Sequence, residues 1–353
     1  MYYFCRVNIH QKYIQRCIQL AKNGLGTTYP NPMVGSVIVH NNTIIGEGWH
    51  QKAGQPHAEV HAINSVKNKN LLRESTLYVS LEPCNHYGKT PPCSDLIVSH
   101  KIPKVVIGTT DPFVEVAGKG IQKLQHNSIE VIVGVLEKEC IDLNKRFFTF
   151  HNKKRPYIIL KWAESADRYM APLTKEIQKP VWLSNKYSRQ IVHKWRSEEQ
   201  AILVGTKTVI DDNPQLTTRD WYGNNPTRIV LDKKNSISNS FAIKDNTAST
   251  LIISEEHFFA ENENCTVEKC NFDNLLPQQV VDILYQKKLQ SVIIEGGKQT
   301  LQSFIDANLW DEARVFCSPV FLKNGLEAPL LPQKLFTKKQ VQDDELKLFF
   351  NYD

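Results

Sequence analysis

Apolar positions recur at two spacings along the chain. From Ile9 to Asn23 they fall at Ile9, Tyr13, Ile14, Cys17, Ile18 and Ala21. That is a helical interval, and Gly24 supplies a natural stop. Val34–Val39 and Ile44–Trp49 flank the pair Asn41-Asn42, which predicts a β-hairpin. Beyond it the pattern predicts a helix from Pro56 to about Val66 and a strand over Thr76–Leu81. A loop rich in Gly, Pro and Cys follows, then a short helix over Asp95–Ser99. Val105–Ile107 and Ile129–Val135 read as strands, Lys119–Gln125 and Glu137–Phe148 as helices. Strands that alternate with helices imply an α/β layer structure.

The run His151-Asn152-Lys153-Lys154-Arg155-Pro156 is polar, basic and ends in proline. It reads as a solvated linker and divides the chain into domains 1–150 and 156–353. The second half repeats the alternation. Tyr157–Lys161, Ala201–Val204, Arg228–Leu231, Leu251–Ile253 and Ser291–Ile294 read as strands, and Lys186–Trp195 and Gln278–Gln286 as helices. Asn235–Thr250 and Glu255–Asn274 are polar and read as surface excursions.

Composition agrees with two domains. The chain has 353 residues, 41% hydrophobic and 23% charged, which excludes a disordered or fibrous polymer. Its net charge of +6 is mild and spread out, and favours an anionic partner such as a phosphorylated metabolite as much as nucleic acid. The first residues lack a basic segment followed by an apolar core, so no signal peptide is expected. No apolar run reaches the length of a membrane span. The expected setting is a reducing cytoplasm, where paired cysteines mean metal or catalysis more often than disulfides.

The strongest chemical signal is His57-Ala58-Glu59, then Pro83-Cys84, then Pro92-Cys93. His57, Cys84 and Cys93 are a ligand set that suits zinc. Three protein ligands leave the fourth tetrahedral position to water, the mark of a catalytic site, and zinc brings the pKa of such a water to about 7. Glu59, two residues past His57, is placed to lean over that water and to carry its proton to a departing amine. The alternative is a structural zinc, with His61 as its fourth ligand. The order His-x-Glu, Pro-Cys, Cys is that of zinc-dependent nucleobase deaminases.

Three longer stretches sharpen this. They are Tyr29-Pro30-Asn31-Pro32-Met33-Val34-Gly35, His57-Ala58-Glu59-Val60-His61-Ala62 and Leu81-Glu82-Pro83-Cys84-Asn85-His86-Tyr87-Gly88-Lys89-Thr90-Pro91-Pro92-Cys93. The chain resembles the bifunctional deaminase–reductase family of riboflavin biosynthesis (RibD type). In that family a long insert separates the two cysteines, here Asn85–Pro92, whereas tRNA adenosine deaminases and cytosine deaminases use a two-residue insert. The resemblance implies a cytidine-deaminase-like three-layer α/β/α first domain. Asn31 is a candidate contact to a base edge, and His86 and Lys89 are candidate donors to the substrate. His50 and His61 read as structural, and the six remaining cysteines as packing.

The second half lacks the Gly-x-Gly-x-x-Gly of a Rossmann domain. Instead Ser291–Ile294 runs into Glu295-Gly296-Gly297 and then a helical segment, a plausible phosphate cradle. Ala201–Arg219, Arg228–Asp232, Lys161-Trp162-Ala163 and Trp195-Arg196 resemble the family's reductase half. The resemblance implies a dihydrofolate-reductase-like fold that binds NADPH. Carried over, Ala163, Trp182, Thr208, Asp212 and Gly297, Lys298, Gln299, Thr300, Leu301, Gln302 and Ser303 match cofactor contacts. Arg196, Leu216, Arg219 and Glu295 match contacts to a phosphorylated pyrimidine, and Lys161 and Asp212 are possible polar partners at the reacting sugar carbon. Two arginines suit bidentate phosphate recognition.

Two departures stand out. Ser165-Ala166-Asp167-Arg168 replaces the family's Ser-Leu-Asp-Gly, and Pro180-Val181 replaces a small polar residue before Trp182. An active deaminase beside an impaired reductase is therefore one alternative, and another nucleobase or tRNA deaminase is a second. The implied whole is a zinc- and NADPH-dependent bifunctional enzyme acting on a phosphorylated pyrimidine. It is expected as a homo-oligomer, dimer or tetramer, with neither nucleic acid nor membrane as a partner.

Overall fold

A computed structural model describes residues 8–85, 91–113, 117–174, 178–256, 263–273 and 275–352. The candidates His86 and Lys89 lie outside the described residues. Two compact units meet between Lys153 and Lys154.

The first unit runs α1 (Ile9–Ala21), β1 (Gly35–His40), β2 (Thr43–Trp49), α2 (Ala58–Ser65), β3 (Thr76–Leu81), α3 (Cys93–Ser99), β4 (Lys104–Thr109), α4 (Lys119–His126), β5 (Glu130–Val133), α5 (Glu137–Leu143) and α6 (Lys145–Lys153). Its sheet has the order β2-β1-β3-β4-β5. The β1–β2 hairpin is antiparallel, and β3, β4 and β5 are mutually parallel. Asn41 and Asn42 both have positive φ, 47° and 60°, so the hairpin turns with the twist that its strands need. Period-two alternation sends Val37, Val39, Tyr78 and Val106 to one face, under α1 and α5. Ile38, Leu77, Val79, Val105 and Ile107 point to the other, under α2, α3 and α4. The result is the expected three-layer α/β/α domain.

The single helix expected over Glu137–Phe148 is two helices, α5 and α6, broken at Asn144. The Asn144 carboxamide accepts the Met33 N–H at 2.8 Å and donates to the Met33 carbonyl at 2.9 Å. Both bonds fix the side chain on another segment, where an unbroken helix would not aim it.

The second unit contains β6 (Tyr157–Glu164), β7 (Tyr169–Ala171), α7 (Lys186–Glu198), β8 (Ala201–Gly205), α8 (Thr206–Asp212), β9 (Thr227–Leu231), β10 (Thr250–Ser254), β11 (Cys265–Lys269), α9 (Leu276–Gln286), β12 (Ser291–Ile294), α10 (Lys298–Asp306), β13 (Glu312–Cys317), β14 (Leu326–Glu327), β15 (Thr337–Val341) and β16 (Asp344–Phe350). The large sheet is ordered β11-β10-β9-β8-β12-β6-β13-β16-β15. It is parallel from β11 through β13; β16 is antiparallel to β13, and β15 is antiparallel to β16. Ile158, Leu160, Val292 and Ile294 pack under α9 and α10. Ile159, Ile202 and Ile293 occupy the opposite face. The stretch Glu255–Asn274 is not wholly an excursion: it contains β11, whose exposed edge position gives it a polar sequence.

The linker expectation needs correction. His151–Lys153 close α6, and Arg155 is buried. Its guanidinium grips both Asp311 carboxylate oxygens, at 2.5 and 2.8 Å, and Asp311 also accepts the Ile158 N–H. Removing one partner from a buried pair strands the other charge. Asp311→Asn should therefore lower the stability of this unit by about 3 kcal/mol, measured by urea unfolding.

Arg168 takes the left-handed conformation, φ 68°, where the family pattern has glycine. The Ser165-Asp167 hydroxyl–carboxylate bond of 2.6 Å and the Asp167 bonds from the Leu322 and Lys323 N–H groups hold the turn nonetheless. A side chain at positive φ costs about 1 kcal/mol. Arg168→Gly should raise the unit's unfolding free energy by about that amount, read from the same urea titration.

Candidate active sites

In the first unit the three candidate ligands arrive from three elements at one end of the sheet. His57 is the residue that precedes α2, Cys84 follows β3 after the bend at Pro83, and Cys93 is the first residue of α3. His57 Nδ1 lies 3.5 Å from Cys84 Sγ and 3.4 Å from Cys93 Sγ. Tetrahedral zinc with ordinary Zn–N and Zn–S bonds requires an N···S edge of about 3.5 Å. The donor set and its spacing therefore fit zinc. Among the described residues the cluster holds these three and no fourth ligand. His61, the alternative fourth ligand, is not part of it, and its Nε2 is buried with no hydrogen-bond partner.

The electrostatics favour a cation here. Hydrogen bonding from the Cys93 thiol outweighs the cost of burial and pulls the Cys84 sulfur down to about 4, with His57 and the Cys93 N–H adding to it. Cys93 moves the opposite way: its hydrogen bond to Cys84, then its burial, favour the neutral thiol. Glu59, one residue into α2, is 3% exposed. Burial pushes its carboxyl up to about 7, against the opposing pull of His57. A buried carboxyl that titrates near neutrality beside a metal cluster is equipped to exchange protons.

Asn31 is held by its Nδ2, 3.1 Å from His50 Nε2, while His50 Nδ1 meets the Pro56 carbonyl at 3.1 Å. The His50 ring in turn stands edge-on to His57, with centroids 5.4 Å apart. His50 is structural, as expected, and its structural task is to link Asn31 to the ligand. Glu82 was not anticipated from the sequence. Its buried carboxylate accepts four backbone N–H groups, from Asp111, Gly118, Gly120 and Ile121. This clamps the entry to α4 against the bend that carries Cys84. Gly120 sits so close that a Cβ there would lie 2.0 Å from the Pro83 carbonyl. An acidic residue before Pro-Cys gives no sequence signal of that role.

In the second unit the candidates gather where β12 and β8 end. Glu295 follows β12, and Arg196 on α7 donates to its Oε2 at 3.0 Å. Lys161 Nζ from β6 approaches Oε1 at 3.8 Å. Burial pushes Glu295 up, but Arg196 and Lys161 outweigh it and keep the carboxylate below its ordinary range. Burial lowers Lys161, with Glu295 opposing. Among the described residues Arg196 Nε and Glu295 Oε1 are buried without a hydrogen-bond partner, although Oε1 keeps its ion pair with Lys161. Arg219 lies on the segment after α8, where its side chain donates to Thr217 Oγ1 at 3.3 Å. The Arg196 side chain reaches the Thr217 carbonyl, also at 3.3 Å.

The cofactor candidates divide. Gly297 donates its N–H to Thr208 Oγ1 at 3.0 Å, so these two are brought together. No side-chain hydrogen bond caps α10, and an uncapped helix start suits an anion. At Gly296 a Cβ would press on Thr300 and on the Gly205 N–H at 3.0 and 3.2 Å, whereas at Gly297 it would meet just Thr208 Oγ1 at 3.6 Å. A side chain at 296 would thus crowd Thr300 and Gly205, whereas 297 is open. Leu301 is in the core, Gln302 bonds the Leu330 N–H, and Ser303 bonds the Thr300 carbonyl. Leu216 has its side chain in the core and φ of 56°, so any ligand contact there is through its backbone. Trp182 is 60% exposed, under the Arg189 guanidinium. Ala163 lies on β6, and Asp212 ends α8.

Residues 7–109 match the cytidine and deoxycytidylate deaminase zinc-binding region, and residues 156–350 match the RibD C-terminal domain. The chain belongs to the RibD family. The RibD protein of Aquifex aeolicus is 39% identical over 331 residues, which cover 90% of this chain and 89% of that protein. A Thermotoga maritima structure described as a diaminohydroxyphosphoribosylaminopyrimidine deaminase/5-amino-6-(5-phosphoribosylamino)uracil reductase is similar at 35% identity and a TM-score of 0.87, covering 97% of this chain and 98% of that one. Acinetobacter baumannii RibD is similar at 32% identity and a TM-score of 0.88, covering 98% and 99%. The protein is a bifunctional deaminase and reductase of riboflavin biosynthesis, with a zinc-binding deaminase domain and a reductase domain that uses NADPH. Among the described residues no helix is long and apolar enough to cross a membrane.

Proposed function

We propose that the first unit hydrolytically deaminates diaminohydroxyphosphoribosylaminopyrimidine and that the second reduces the ribosyl side chain of 5-amino-6-(5-phosphoribosylamino)uracil to ribityl. The observation that carries the deaminase assignment is the three-ligand cluster with buried Glu59 two residues from His57. When bound, zinc supplies a Lewis acid that makes water acidic near neutral pH. His57, Cys84 and Cys93 would hold it. Glu59 takes a proton from the attacking water and delivers it to the amine. A C–O bond forms, the C–N bond breaks and ammonia leaves. Asn31, braced by His50, offers its remaining carboxamide oxygen to the base edge.

The substrate is phosphorylated, and the second unit is built for that charge. Arg196 and Arg219 bind the phosphate, Glu295 and Lys161 orient the sugar, and Thr208 with Gly297–Thr300 cradle the cofactor. NADPH, when bound, supplies the hydride. The same reading takes the chain as a homo-oligomer, dimer or tetramer, in a reducing cytoplasm; none of the seven described cysteines is joined in a disulfide, as a reducing compartment would leave them.

The test is substrate preference. The purified chain is offered the diaminopyrimidine phosphate, cytosine and a tRNA anticodon stem. Ammonia release from the first at more than tenfold the rate on the others supports the assignment. Faster release from cytosine or tRNA overturns it.

A further inference from the structure

His193 lies on α7 one turn before Arg196, and it is buried. Residues three apart share a helix face, so both point at the same segment, Thr217–Arg219. His193 Nδ1 lies 3.1 Å from the Arg219 backbone nitrogen and accepts its N–H. Arg196 donates to the Thr217 carbonyl. Two side chains of α7 thus clasp the backbone on either side of Thr218, just after the left-handed turn at Leu216.

The chemistry of the ring fixes its protonation. A nitrogen that accepts an N–H cannot carry a proton, so Nε2 holds the hydrogen, 3.4 Å from Asp220 Oδ2. Burial, then Arg196 and Arg219, push the imidazole down to about 4, against the pull of Asp220 and Glu295. The ring therefore stays a neutral acceptor throughout the working pH range. A protonated ring would turn a donor toward the Arg219 N–H and add a third cation beside two arginines.

We propose that His193 is a positioning residue for phosphate recognition in the reductase site, holding Arg219 beside Arg196 through the Arg219 backbone. This rests on the assignment of the two arginines to the substrate phosphate. His193 itself touches no reacting atom. Its loss should raise KM for the phosphorylated substrate and leave kcat in place, because binding is lost equally in ground and transition states.

Three variants separate the acceptor from the bulk of the ring. His193→Phe keeps a ring and removes the acceptor. His193→Asn loses the ring, but its carboxamide oxygen stands as many bonds from the backbone as Nδ1. Arg219→Ala tests the assignment beneath. NADPH oxidation is followed with the phosphorylated substrate and with its dephosphorylated counterpart. The expected result is a KM about tenfold higher in His193→Phe for the phosphorylated substrate, with kcat and the KM for NADPH within about twofold of the parent. His193→Asn restores KM to within about threefold, and the dephosphorylated compound does not distinguish His193→Phe from the parent. If Arg219→Ala raises KM and His193→Phe does not, the proposal for His193 fails and the phosphate assignment stands. If His193→Asn is as impaired as His193→Phe, or both substrates suffer equally, His193 is merely packing and the proposal is overturned. If Arg219→Ala leaves KM unchanged, the phosphate assignment falls and the proposal falls with it.

Discussion

Glu59→Gln lowers the rate of ammonia release by about 10³-fold, the middle of the range for a general acid–base group. That is about 4 kcal/mol of transition-state stabilisation. The carboxamide matches the carboxylate in size, so the walls of the site are kept. What it loses is the ability to accept a proton from water and return it to the amine. Glu59 is not among the three clustered ligand groups, so the variant should retain zinc at the parental stoichiometry. NADPH-dependent reduction of the uracil substrate should not change. Ammonia release is measured on the zinc-loaded variant beside a metal analysis of the same sample. Parental turnover would remove Glu59 from the proton path.

Cys93→Ala abolishes deamination outright and takes the metal with it. Cys93 is 1% exposed and opens α3. Its N–H also donates to Cys84 Sγ at 3.3 Å. The variant has lost one of three ligands. Two ligands do not hold zinc against water in an open site. The expected zinc content is below about a tenth of the parental value, with ammonia release at background and the reductase rate unchanged. A variant that keeps zinc and turnover would show that Cys93 is not a ligand.

Chemistry fixed by covalent spacing was legible in the sequence, and chemistry set by packing was not. His57, Cys84 and Cys93 announce themselves because each metal ligand needs a given atom type near a chain bend, and Glu59 by its two-residue offset from His57. The alternation of strands and helices was equally open, because sheet and helix periods differ. Arg155 was misread as part of a solvated linker: a basic residue before proline carries no sign of its buried partner, 156 positions later at Asp311. The break at Asn144 was hidden for the same reason, since its reason lies in Met33. The strands β13, β15 and β16 drew no expectation at all. The polar excursion Glu255–Asn274 hid β11, because an edge strand buries little and alternates weakly. His193 and Glu82 act through backbone N–H groups of distant segments. No residue type or spacing signals such a contact.

The central claim is that one chain performs two successive reactions in two separate sites. It is tested most directly in a single cuvette that holds the zinc-loaded chain and the diaminopyrimidine phosphate. Ammonia is followed first without NADPH and then with it. The account predicts full ammonia release before any cofactor is added, followed by oxidation of one NADPH for each ammonia already released. NADPH oxidation that proceeds on the diaminopyrimidine before ammonia appears, or ammonia release that waits for NADPH, would contradict it.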